Sequence, residues 1–121
     1  MKENNPLLDK SLDFSVEIVN FYTQIVDEKR DKTLANQLLR SATSVGANVQ
    51  EAIGAISKAD FVSKMHIALK EINETIYWLQ VFNKTSLYSF DFNNLINSAI
   101  EIKRIIVASI KTAKSNTNSP F

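Results

Sequence analysis

The chain has 121 residues, no cysteine, and 14 Lys plus Arg against 13 Asp plus Glu, for a formal net charge of +1. This length makes one domain able to bury a core without a metal or disulfide staple, and the missing cysteine excludes disulfides and thiol chemistry. The near-neutral balance supplies no global field for a nucleic acid or a membrane, although a local patch stays open.

No apolar run approaches the roughly 20 residues that span a bilayer, and no signal-peptide h-region opens the chain. A cytoplasmic protein with no membrane partner is the expectation. Two glycines and two prolines are the only strong breakers, a helix-rich signature.

Asn5-Pro6 starts the first helix, because asparagine can cap free N–H groups and proline at the first helical position sacrifices no hydrogen bond. Asp9, Asp13, Glu17, Asn20 and Gln24 form its polar strip. The opposite side is apolar over more than half the circumference, with Leu12, Val16, Val19, Tyr22 and Val26 on one flank and Phe14, Ile18, Phe21 and Ile25 on the other. A bundle helix needs an apolar stripe only about 100° wide, so this one has apolar surface to spare. The mixed-sign run Asp27-Glu28-Lys29-Arg30-Asp31-Lys32 reads as a solvated turn, and Asp31 or Thr33 is expected to cap the next helix.

The second and third helices form a hairpin broken at Gly54-Ala55-Ile56-Ser57. One arm carries Leu38, Ala42, Val45, Val49, Ala52 and Ile56 on a common face, the other Phe61, Met65, Ala68, Ile72, Ile76 and Leu79. Ser57 is the expected N-cap, with Asp60 three residues on and in position to pair with Lys64.

Gly46 inside a helix costs about 1 kcal/mol relative to alanine, and close approach of another helix would compensate. Ala35 and Ala42 lie near Gly46 at one edge of the buried face. Arg40, Ser44, Ala47, Glu51 and Ala55 line the other side, where small residues would also admit a partner helix. Ile76, Tyr77, Trp78 and Leu79 are consecutive and cannot all face one core, while Ile67, Glu71 and Trp78 share a second face. Subunit contact is the expected use of that surplus.

Residues 83–89 read as a loop, and Asp91 as the cap of a last helix whose stripe is Phe92, Leu95, Ile96, Ala99, Ile102, Ile106, Ile110 and Ala113. Helices over about 6–27, 33–55, 58–83 and 92–114 predict an all-α, up-down-up-down antiparallel four-helix bundle, with a frayed tail over 115–121.

Counting outward from Ser57, Glu51 matches Lys64 and Arg40 matches Glu74, so both pairs are expected to bridge the hairpin. Asn48 is expected to be a structural residue hydrogen-bonding between helices. On the last helix Arg104 and Lys111 continue a strip begun by Asn93 and Asn97, with Lys103 and Lys114 nearby. This row could contact phosphates. The competing expectation sets Lys111 and Lys114 beside Asp9 and Asp13, neutralising the first helix and the C-terminus of their own.

Cofactor chemistry finds no support. A di-iron bundle needs paired Glu-x-x-His motifs, but the single histidine, His66, has Ser63 three places before it, and Glu51, Glu71 and Glu74 cannot complete the ligand count. No arginine precedes His66 closely enough for a helical ribonuclease pair. No nucleophile with its base, phosphate loop or dinucleotide fingerprint occurs, so a non-enzyme with no cofactor is expected.

The run Arg40-Ser41-Ala42-Thr43-Ser44-Val45-Gly46-Ala47-Asn48-Val49-Gln50-Glu51-Ala52 is followed by Ser57-Lys58-Ala59-Asp60-Phe61, Ile67-Ala68-Leu69-Lys70-Glu71, Glu74-Thr75 and Tyr77-Trp78-Leu79. Together these resemble the bacterial four helix bundle proteins, also called 23S rRNA-intervening sequence proteins, over most of the chain. Where many members read Asn-Ile-Ala-Glu-Gly, this chain has Asn48-Val49-Gln50-Glu51-Ala52, with Gly54 two residues later.

The resemblance implies a protomer assembling into a homo-oligomeric ring, a pentamer. Relatives include accessory proteins of diversity-generating retroelements, which resemble basic barrels binding nucleic acid and a reverse transcriptase. The resulting expectation is a non-enzymatic homo-oligomeric scaffold that binds a macromolecule, RNA or DNA first. A protein-directed adaptor is the alternative, and a metal-dependent or nucleolytic bundle enzyme the outlier. The expected nucleic-acid contacts are Lys103, Arg104, Lys111 and Lys114. Expected subunit contacts are Arg40, Ala47, Glu51, Ile67, Glu71, Glu74 and Trp78.

Overall fold

A computed structural model describes residues 5–25 and 31–115. They form α1 (Pro6–Ile25), α2 (Thr33–Ile53), α3 (Lys58–Lys84) and α4 (Asn93–Ser115). Each helix packs on its neighbours in sequence and α4 returns to α1, so the four make a square with α2 diagonal to α4. The α2–α3 seam is the most extensive and the α1–α4 seam the slightest. The fold is the expected all-α antiparallel four-helix bundle.

The starts of the helices follow from local chemistry. Asn5 Oδ1 accepts the Leu8 N–H at 3.0 Å, with Pro6 occupying the first helical position. Asp31 Oδ1 accepts the Thr33 N–H at 2.9 Å, but the N-cap position of α2 is Lys32, so neither Asp31 nor Thr33 is the cap expected there. Ser57, in extended backbone, accepts the Asp60 N–H at 3.0 Å, and Asp91 accepts the Asn93 N–H at 3.0 Å. Each such bond satisfies an N–H that the helix leaves free, a contribution of about 1 kcal/mol.

Phe14, Ile18, Leu38, Val45, Val49, Met65, Ile72, Leu79, Ile102 and Ile106 make the central core. Inside it, the Ser41 and Thr75 hydroxyls share a hydrogen bond of 2.9 Å across α2 and α3. At the end where α1 and α3 finish, Phe21 meets Phe90 at 4.9 Å and Phe92 at 5.3 Å, and Phe82 stacks on Phe92 at 5.7 Å. Tyr88 packs edge-on to Phe21 at 5.9 Å, so the α3–α4 connection is tied to the core by its own aromatic rings.

Several expected boundaries shift. Ile56 leaves the buried stripe: α2 ends at Ile53, and Ile56 sits in the turn 91% exposed. Asn83 belongs to α3, and Ser115 to α4 rather than to a tail. Phe92 is buried just before α4 begins. The assignments made for residues 26–30 and 116–121 lie outside the described residues.

Candidate functional site

On the α2–α3 face Arg40 binds two carboxylates, Glu71 at 3.3 Å and Glu74 through a short charge-assisted bond. Glu74 also accepts the Trp78 Nε1–H at 3.1 Å. Lys64 pairs with Glu51 at 2.9 Å. Both cross-hairpin pairs counted from Ser57 are therefore present. Lys64 turns to Glu51 across the hairpin, and Asp60 reaches it only through the field.

The Arg40 hydrogen bond, followed by that of Trp78, holds the Glu74 carboxyl below its usual value, and Glu74 in turn raises Arg40. The Glu51 hydrogen bond likewise raises Lys64. Trp78 is half-buried, its ring 5.0 Å from that of Tyr77, and Ile67 stands out from the same face.

Two expectations for this face change. Asn48 Nδ2 donates to the Ser44 carbonyl at 2.9 Å within α2, rather than between helices. One helical turn separates the two residues, and the amide reaches back along its own helix. Ala47 lies apart from the Arg40 network, lining the groove between α1 and α2.

That groove forms a second face. Gly46 permits the close approach that its presence implied: a Cβ there would lie 3.1 Å from Ser15 Oγ and 3.4 Å from the Ser11 carbonyl oxygen. The groove encloses about 500 Å³ between Leu8, Leu12, Ser15, Thr43, Gly46, Ala47 and their neighbours, and Asp9 is its one charged lining residue. Beside it Leu12, Val16 and Val19 are 61%, 50% and 41% exposed, the flank of α1 that the bundle leaves uncovered. Sequence reasoning identified the surplus but missed the notch. The signal was there: Ser11 and Ser15 are small residues one turn apart, and they lie opposite Gly46.

The third face is the outer side of α4. Lys103, Arg104 and Lys111 line a shallow groove of about 420 Å³ with Ile100, Val107 and Ala108. Lys103 is half-buried, while Arg104, Lys111 and Lys114 are exposed. Among the described residues, no carboxylate lies within ion-pairing distance of these four cations.

The expected pairing of Lys111 and Lys114 with Asp9 and Asp13 does not form. Lys10 bonds Glu101 at 3.4 Å, and Asp13 and Glu17 share a small cleft with Ser98 and Glu101. In this register the acidic strip of α1 meets the middle of α4. Among the described residues no group of His, Asp and Glu side chains is arranged to hold a metal ion. Among the described residues, no helix is long and apolar enough to cross a membrane.

These features define a small antiparallel helical bundle whose distinctive chemistry lies on its outer faces rather than in an internal cleft. The chain belongs to the 23S rRNA-intervening sequence protein family, whose model matches residues 3–108. It is also similar to a protein of unknown function from the S23 ribosomal protein family of Bacteroides thetaiotaomicron, known from a crystal structure. The two are 44% identical with a TM-score of 0.82, covering 88% of this chain and 99% of that one. Comparison with curated proteins gave no match.

Proposed function

We propose that the protein is a non-enzymatic, homo-oligomeric helical scaffold that binds nucleic acid through the outer face of α4. The observation that carries this reading is the row Lys103, Arg104 and Lys111 along one groove, extended by Lys114, with no carboxylate partner among the described residues. Cations neutralised by neighbours would be unavailable to phosphate, whereas these donors are free to replace its counterions. Val107 and Ile100 between them give sugars and bases an apolar surface. In a homo-oligomer the row repeats, and a chain with a net charge of only +1 acquires a continuous positive surface. The resemblance to retroelement accessory proteins points the same way.

Binding of labelled single-stranded RNA and duplex DNA, titrated at a series of salt concentrations, tests the assignment. The logarithm of the binding constant should fall linearly with the logarithm of salt concentration. Arg104→Glu with Lys111→Glu should weaken binding at least tenfold and flatten that slope by about 1 to 2. No binding at low salt would replace this reading with a protein-directed adaptor.

A further inference from the structure

Granted the nucleic-acid reading above, on which this rests, we infer that the ligand is double-stranded DNA rather than a single strand. The α4 row holds one backbone of the duplex, and Lys70, on the outer edge of α3, holds the other.

The two flanks of α4 differ in charge. Ser98 and Glu101 lie with Lys10, Asp13 and Glu17, so this flank is turned to α1 and is acidic. Lys103, Val107 and Lys111 stand on the other flank and are turned to α3, the second neighbour of α4. On α3, Lys64, Glu71 and Glu74 bridge to α2. Lys70 sits two residues before the buried Ile72, as Arg104 sits two before the buried Ile106, so both side chains point away from the core.

The heights of these two cations agree. Phe82 stacks on Phe92 where the antiparallel α3 and α4 meet, and counting equally back from Phe82 and forward from Phe92 brings Lys70 level with Arg104. Both are exposed, and neither has an ion-pair partner among the described residues. Of the acids on the two helices, Glu71 and Glu74 turn to Arg40, Asp60 stands in the field of Lys64, and Glu101 bonds Lys10. Phosphate on either side of the α3–α4 seam therefore meets cations.

Packed helices have axes about 8 to 10 Å apart, and long side chains rising from them can span the ~12 Å width of a major groove. A duplex presents two backbones at that separation, whereas a single strand presents one line of phosphates. Along α4 the row is long enough to follow one of those backbones. Lys111 lines both the groove of Lys103 and Arg104 and a second shallow concavity with Thr112, Lys114 and Ser115. From Arg104 to Lys114 the helix rises about 15 Å, against roughly 3.4 Å per residue of a DNA strand.

A single strand held without sequence preference needs aromatic rings among the cations, on which its bases stack. α4 contains none. Tyr77 is 57% exposed on α3, but it packs edge-on to Trp78 at 5.0 Å and by the same count stands level with Asn97, about 10 Å along from Arg104. Charge without stacking favours the ligand of higher charge density, and a duplex carries one charge per about 1.7 Å of axis.

Anisotropy titration of the full chain with a labelled DNA duplex two turns long, and with an oligothymidine strand of the same number of nucleotides per strand, tests the inference. At equal salt the duplex should bind at least tenfold tighter. Lys70→Ala should weaken duplex binding about three- to tenfold and lower its salt slope by about 1, while strand binding changes less than about twofold. Lys32→Ala removes the same charge at the start of α2 and should alter neither. Circular dichroism checks that Lys70→Ala keeps its helicity.

A strand bound as tightly as the duplex would overturn the inference and leave the α4 reading standing. So would duplex binding that Lys70→Ala leaves unchanged, or that Lys32→Ala weakens equally. A wild-type chain that binds neither probe at low salt would instead remove the nucleic-acid reading itself.

Discussion

At the scale of residues, the Arg40–Glu74 bond is the interaction whose strength can be isolated. Arg40 is about half exposed, so solvent screens the pair and its contribution is about 0 to 1 kcal/mol despite the short contact. Arg40→Ala combined with Glu74→Ala should destabilise by less than the sum of the single changes, with a coupling of roughly 0.2 to 1 kcal/mol. A double-mutant cycle in urea would measure it, and strict additivity would dismiss the coupling. The pH dependence has a definite sign. Glu74 is held below its usual value of 4.5 in the folded chain, so the unfolded state takes up the proton first as acid is added. Its contribution is complete above about pH 4.5 and disappears as pH falls through the lowered folded value. Wild type should accordingly lose stability more steeply than Glu74→Gln in this acid window. Parallel slopes in acid unfolding would show that the carboxylate contributes nothing there.

At the scale of elements, the crossing of α1 over α2 at Gly46 decides what can be substituted. Gly46→Ala gains about 1 kcal/mol of helix propensity, while its methyl group requires the Ser15 hydroxyl to rotate from a 3.1 Å contact. The two effects oppose, and thermal unfolding should show a net change under about 1 kcal/mol. Gly46→Leu has no such escape, because its branches meet the Ser11 backbone. It should cost about 1 to 3 kcal/mol, and an unchanged midpoint would show that the helices can separate freely. The α3–α4 connection illustrates the opposite case. Residues 83–89 read locally as a loop because the sequence carries no helical period there, yet Tyr88 is buried in the aromatic cluster. Nothing in local spacing announces that Phe21, distant in sequence, brings these rings together.

At the scale of the whole molecule, apolar surface left over after folding links architecture to assembly. If copies share it, unfolding of the folded oligomer is linked to association, and the thermal midpoint must rise with protein concentration. Calorimetry over a hundredfold range of concentration would show the rise, and a constant midpoint would argue against self-association. Helix count and order, the Asn5 and Ser57 caps and the Glu51–Lys64 and Arg40–Glu74 pairs were legible in the chain, because each depends on local side-chain chemistry, periodicity or counting from a turn. Three things were not. The registry of α1 against α4 placed Lys10 beside Glu101 and left Lys111 and Lys114 unpaired with Asp9 and Asp13. Asn48 turned back on its own helix, and Ile56 proved to be solvent-exposed in a turn. The sequence by itself therefore determined four amphipathic rods and most of the residues each buries, since hydrophobic period acts within a helix. Only the tertiary structure decided which charges stay unpaired and where a notch opens, because both depend on how far one rod slides along another, which the pattern within a single helix does not encode.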